Sequence, residues 1–138
     1  METGKANKYI GRAFNFERSE DYHLILQISF NQLTIILLNT NSVIEFYHNI
    51  KIENNLTDIF NNEKTLQLKY RKTTITFSNI AYTLVPNYLF VNEHSKEILE
   101  FSSDISDVIK LEKIREIDST LIYSISEEIE NLVSNFFP

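Results

Sequence analysis

At 138 residues, 43% hydrophobic and 12% aromatic, the chain is the size of one domain and has enough apolar bulk for an ordinary core, which excludes a disordered segment. It has no cysteine, so disulfides, thiolate metal sites and cysteine nucleophiles are excluded. A net charge of −6 argues against a nucleic-acid surface, which needs a basic field, and the one basic cluster, Lys69, Arg71 and Lys72, reads as a solvated stretch ahead of a strand.

Acidic residues dominate the second half, at 93 to 100, 104 to 107 and 127 to 130. No apolar stretch of the signal-peptide kind follows Met1, Glu2, Thr3, Gly4 and Lys5. The longest nearly apolar run, Leu33 to Leu38, is far short of the roughly 20 residues a membrane span needs. The expectation is a cytoplasmic chain with no membrane insertion.

Residues 1–20 are polar, contain both glycines (Gly4 and Gly11), and read as a flexible arm whose Phe14 and Phe16 lie against the domain. From Tyr22 the pattern turns to period two: Tyr22, Leu24, Leu26, Ile28 and Phe30 share one face of a first strand. Leu33 to Leu38 is apolar on both faces, which suits a central strand covered on each side. Asn39-Thr40-Asn41-Ser42 is a turn, and Val43 to Ile52 follows with Ile44, Phe46, His48, Ile50 and Ile52 on one side. Short connections make these three strands an antiparallel meander.

Asn54 and Asn55 offer a cap for a short helix with Leu56, Ile59 and Phe60 at i, i+3, i+4. Thr73 to Ser78 and Tyr82 to Val85 read as strands, the latter closed by Pro86. Asn92 caps a helix carrying Ile98, Leu99 and Phe101; Val108 to Leu111 and Thr120 to Ile125 are strands. Ser126 caps a last helix with Glu127 and Glu128 in its first turn and Ile129, Leu132, Val133 and Phe136 on its apolar face. The order is β-β-β-α-β-(β)-α-β-β-α, a mixed α/β (α+β) class.

Phosphate-cradling loops need glycine, because the backbone must approach the phosphates closely. After Gly11 there is none. His23, His48 and His94 fall on separate elements without an i, i+4 pair, and read as sheet and helix residues, not as zinc ligands. The carboxylate pairs Glu127-Glu128 and Asp104 with Asp107 read as caps and solvated turns. No G-x-S-x-G elbow is present, and the sequon at Asn55 has no meaning without secretion. Tyr82, Tyr88, Phe90 and Phe101 read first as core; the Pro-containing stretch from Tyr82 to Phe90 also suits the wall of a partner-binding groove, with Tyr82, Pro86, Tyr88 and Phe90 as its residues.

The segments Ile75-Thr76-Phe77-Ser78-Asn79, Tyr82-Thr83-Leu84-Val85-Pro86 and Leu89-Phe90, with Tyr22-His23-Leu24 before them and Leu121-Ile122-Tyr123-Ser124-Ile125 and Phe136-Phe137-Pro138 after, resemble an uncharacterised bacterial family, domain of unknown function "thirty-eight twenty-two". The resemblance spans the chain from about Asp21. It implies an actin-like ATPase fold, ribonuclease H-like in each of two related halves with nucleotide between them. This chain corresponds to the first half, with residues 21–138 as a single half-domain. Actin-like ATPases place an Asp-x-Gly phosphate loop in the first hairpin; here that hairpin reads Ser29-Phe30-Asn31-Gln32-Leu33, with neither residue. The expectation is a non-catalytic protein-interaction or assembly module, with no catalytic residue, cofactor or metal, and with a protein partner or a homodimer. The alternatives are an ATP-binding subunit that completes its cleft with another chain or with a missing second half, and a metal-dependent or acid–base enzyme using His23 or His48.

Overall fold

The computed structural model describes residues 7–53, 55–78 and 80–138. Gly4, Asn54 and Asn79, which figure in the sequence reading, lie outside them. The chain divides into two compact units: the described part of residues 1–79 with Phe137, and residues 80–136 with Pro138.

The first unit is a five-stranded sheet, β1 (Lys8–Ile10), β2 (His23–Ile28), β3 (Gln32–Leu38), β4 (Ile44–Lys51) and β5 (Lys72–Phe77), in the order β1-β4-β3-β2-β5. β2, β3 and β4 are the expected antiparallel meander, and β5 lies parallel to β2. A parallel neighbour needs a crossover, and helix α1 (Leu56–Asn62) stands between β4 and β5 in sequence. Alternation puts Leu24, Leu26, Ile28, Leu33, Ile35, Leu37 and Phe46 on one face, where all are buried with Phe60 of α1 and Leu66. Asn55 caps α1, its Oδ1 accepting from the Asp58 N–H at 2.8 Å.

Three features depart from the sequence reading. Lys8–Ile10, inside the stretch read as an arm, pairs with β4 as an edge strand; three residues are too few to show a period. Phe30 is 76% exposed, because β2 ends at Ile28 and Phe30 sits at the tip of the hairpin. The second face of β3 is not fully covered: Thr34, Ile36 and Leu38 are only half-buried.

The second unit is a three-stranded antiparallel sheet, β6 (Tyr82–Pro86), β7 (Val108–Ile114) and β8 (Ser119–Ile125), ordered β6-β8-β7. Helix α2 (Ser95–Glu100) covers one face through a cluster of Val85, Leu99 and Ile122, with Phe90, Ile98 and Ile109 at its rim. The chain enters α2 through a 3-10 turn at Asn92–His94, in which the Ser95 hydroxyl donates to the Asn92 carbonyl at 2.6 Å. Helix α3 (Glu127–Phe136) starts at Ser126, whose Oγ accepts from the Ile129 N–H at 3.3 Å. Past the added β1, the strands and α-helices follow the order read from the sequence; the 3-10 turns between them, among them Phe16–Asp21 in the stretch read as an arm, lie outside that reading.

Candidate functional site

The Tyr82–Phe90 segment lies mostly on the surface. Tyr82 is 66% exposed and Tyr88 82%, and Leu84 and Leu89 are exposed beside them. Phe101 is 96% exposed, past the last turn of α2. Core packing is therefore the wrong reading for Tyr82, Tyr88 and Phe101, and holds only for Phe90, half-buried against Val85 and Leu99. Pro86 is half-buried.

The strand period explains the division. Thr83 and Val85 face α2, so Tyr82, Leu84 and Pro86 share the other face. Their cross-strand neighbours are Tyr123, Leu121 and Ser119, and beyond these Lys110, Glu112 and Ile114 of β7. β6 is an edge strand, and no strand pairs with its outer side among the described residues. Ser124 N–H donates to the Ala81 carbonyl and Asn87 N–H to the Asp118 carbonyl, both at 3.0 Å. Bonded pairs alternate along an antiparallel ladder. Thr83 and Val85 therefore turn their backbone groups toward β8, while Tyr82 and Leu84 turn theirs outward. Pro86 falls in the outward set, where a missing N–H breaks no ladder bond.

A second feature is a polar cleft of about 470 Å³ at the β2–β3 hairpin, lined by Gln27, Ser29, Asn31, Gln32, Thr34 and Ser78. Gln27 and Thr34 are cross-strand partners on the outer face of the sheet. The Ser78 N–H donates to the Ile28 carbonyl at 3.0 Å, which holds Ser78 beside the hairpin. The turn closes with the Ser29 N–H donating to the Gln32 carbonyl at 2.9 Å, without positive φ at Phe30 or Asn31. All six lining side chains are neutral. They can hydrogen-bond a ligand, but none can neutralise a phosphate or hold Mg²⁺ as a carboxylate does.

The histidines stay apart. His23 Nε2 is 2.8 Å from Thr74 Oγ1, and burial holds its pKa below the ordinary value, helped by Lys72 and Arg71. His48 borders a cleft of about 300 Å³ with Ile50, Asp58, Ile59, Asn62 and Glu63. Its Nδ1 is buried without a hydrogen-bond partner, because Glu63 Oε2 at 3.7 Å is too far. Burial lowers the His48 pKa, Glu63 opposes that and Lys8 reinforces it. His94 Nδ1 meets Glu97 Oε2 at 3.0 Å on the exposed start of α2. Among the described residues no three His, Asp or Glu side chains converge as metal ligands. No helix there is long and apolar enough to cross a membrane.

Sequence reasoning named Tyr82, Pro86, Tyr88 and Phe90 but missed Leu84, whose place in the Tyr82–Leu84–Pro86 alternation was the available signal. It also missed Gln27, Thr34 and Ser78, which only strand register brings together.

A mixed sheet with an antiparallel meander and one parallel neighbour has a counterpart among solved structures. The chain is similar to a Bacteroides thetaiotaomicron protein with an actin-like ATPase fold and unknown function, with a TM-score of 0.77 at 16% identity. The match covers 91% of this chain and 52% of that one, so the chain spans about half the neighbour's length and has the fold of an actin-like half-domain. A family model described as Protein of unknown function (DUF3822) matches residues 11–138, and the chain belongs to that family. No curated protein matches it significantly.

Proposed function

We propose that the chain is a non-catalytic protein-interaction or assembly module of the cytoplasm. In this reading residues 21–138 act as one actin-like half-domain, and Tyr82, Leu84, Pro86 and Tyr88 form its docking surface, with Phe90 packed against the core behind them as its anchor. The observation that carries it is the exposure of Tyr82, Leu84, Tyr88 and Leu89 along edge strand β6, whose outer side no strand pairs among the described residues, and the turn after it. Large apolar side chains gathered in this way mark interaction surfaces. The test compares wild type with a Tyr82→Ser, Tyr88→Ser double variant, in sedimentation over a concentration series and as baits in pull-downs. A self-associated or partner-bound wild type and a variant that loses the association are expected. A strictly monomeric wild type whose captured proteins match the variant's would overturn the reading.

The hairpin cleft favours a second reading, an ATP-binding subunit whose cleft is completed by another chain. The family resemblance makes this hairpin the counterpart of the phosphate-loop hairpin of actin-like ATPases, and Ser29, Asn31 and Gln32 line a cleft there with hydroxyl and amide donors. Titration calorimetry with Mg-ATP separates the two. Heat and a thermal shift that Gln32→Ala weakens would support nucleotide binding, and their absence would remove it.

A further inference from the structure

The charge is divided unevenly along the chain. Residues 1–79 hold nine Lys and Arg against eight Asp and Glu, and residues 80–138 hold four against eleven, so the net −6 is +1 in the first stretch and −7 in the second. The outer edge of β6 belongs to the acidic stretch. Asp118 lies at the end of that strand, its Oδ1 accepting from Asn87 Nδ2 at 2.8 Å, and Glu116 stands in the turn just before it. Glu112 shares the cross-strand row of Leu84 and Leu121, on β7 at the far edge of the same sheet. Glu97 and Glu100 lie on α2, which covers the other face of the same sheet. All five carboxylates are exposed. Of the four cations in this stretch, Lys96 faces Glu100 at 3.8 Å and Lys110 faces Glu130 at 2.5 Å; Lys113 stands in the row of Thr120 and Val85 but on β7, two strands from the β6 edge, and Arg115 shares the turn of Glu116.

From this we infer that β6 accepts an added strand from a partner segment in which apolar and cationic residues alternate. The inference rests on the reading of Tyr82–Phe90 as the docking surface, and names what docks there. Tyr82 and Leu84 turn their N–H and C=O groups outward, where an incoming strand pairs with them. Side chains of that strand alternate between the two faces of the sheet. One set falls beside Tyr82 and Leu84 and is apolar. The other falls on the face where α2 carries Glu97 and Glu100, and is Lys or Arg. A second copy of this chain is the poorer occupant, because it would bring another −7 unit against the first.

The probe is a fluorescein-labelled peptide of alternating Val and Lys, about nine residues long to match a strand, read by fluorescence anisotropy. Its Glu-for-Lys counterpart should bind at least about tenfold more weakly, and the Lys peptide should weaken severalfold between about 0.05 M and about 0.5 M salt. N-methylation of alternate peptide amides, in the register that faces β6, should abolish binding with the protein itself unaltered. Leu84→Pro, which deletes one outward N–H, should reduce it, while Leu111→Ser on β7 should not. Equal binding of the Lys and Glu peptides, or indifference to N-methylation, would overturn the inference. If the Lys peptide does not bind but the Tyr82→Ser, Tyr88→Ser variant still loses its association, the inference falls and the docking reading stands. If both tests fail, both fall.

Discussion

Ser42 turns the chain left-handed, with φ 60°, in the tight link from β3 to β4. The Asn39 side chain holds this turn, its Oδ1 accepting from the N–H groups of Asn41 and Val43 at 2.9 and 3.0 Å. A left-handed backbone costs a residue with a Cβ about 1–2 kcal/mol, and glycine's larger loss of freedom on folding offsets part of that. Ser42→Gly should therefore stabilise the fold by about 0.5–1 kcal/mol, seen as a higher denaturation midpoint at unchanged slope. His48 gives a residue-scale prediction of a different kind. Burial depresses its pKa below 6.5 in the folded chain, with Lys8 assisting and Glu63 opposing, and burial does the same at His23 with help from Lys72 and Arg71. A depressed histidine takes up its proton more readily in the unfolded chain. Stability should accordingly be full above about pH 6.5 and fall as the pH drops below it. His48→Gln should flatten that decline in thermal melts across the same range, and an unchanged slope would show that His48 does not contribute.

Among the elements, α1 has its N-terminus capped by the Asn55 side chain. It is short, and isolated helices of its length are marginal in water. Asn55→Ala removes the acceptor for the Asp58 N–H and should cost about 1 kcal/mol in chemical denaturation. A smaller loss would mean that Leu56 and Phe60, both buried, hold the helix by packing alone. The elements were also the most legible level of the sequence. Tyr22 to Ile28 announces its strand because one buried face imposes a period of two, Leu33 to Leu38 announces its strand as a short continuous apolar run, and Asn55 and Ser126 announce helix starts because they satisfy otherwise unpaired N–H groups. Lys8–Ile10 was illegible, because so short an edge strand is specified by its partner β4. Tyr82, Tyr88 and Phe101 were misread for a related reason. Aromatic character signals burial in general, and only the β6 register and the end of α2 show that these side chains face outward. The hairpin cleft needed both registers and Ser78, so its composition had no linear signature beyond the missing Asp and Gly.

Taken whole, the chain combines an actin-like half-domain fold with a strongly acidic second stretch. The sequence shows the excess of carboxylates, and the fold puts it in the unit that contains the edge strand β6. That arrangement makes β6 the centre of the functional account. Amide hydrogen exchange, resolved residue by residue, tests it most directly. In the free protein the Tyr82 and Leu84 amides should exchange fast while Thr83 and Val85, bonded toward β8, are protected; addition of the Val/Lys peptide should slow Tyr82 and Leu84 by about tenfold or more. Tyr82 and Leu84 amides already protected in the free chain, or unaltered by the peptide, would contradict the account.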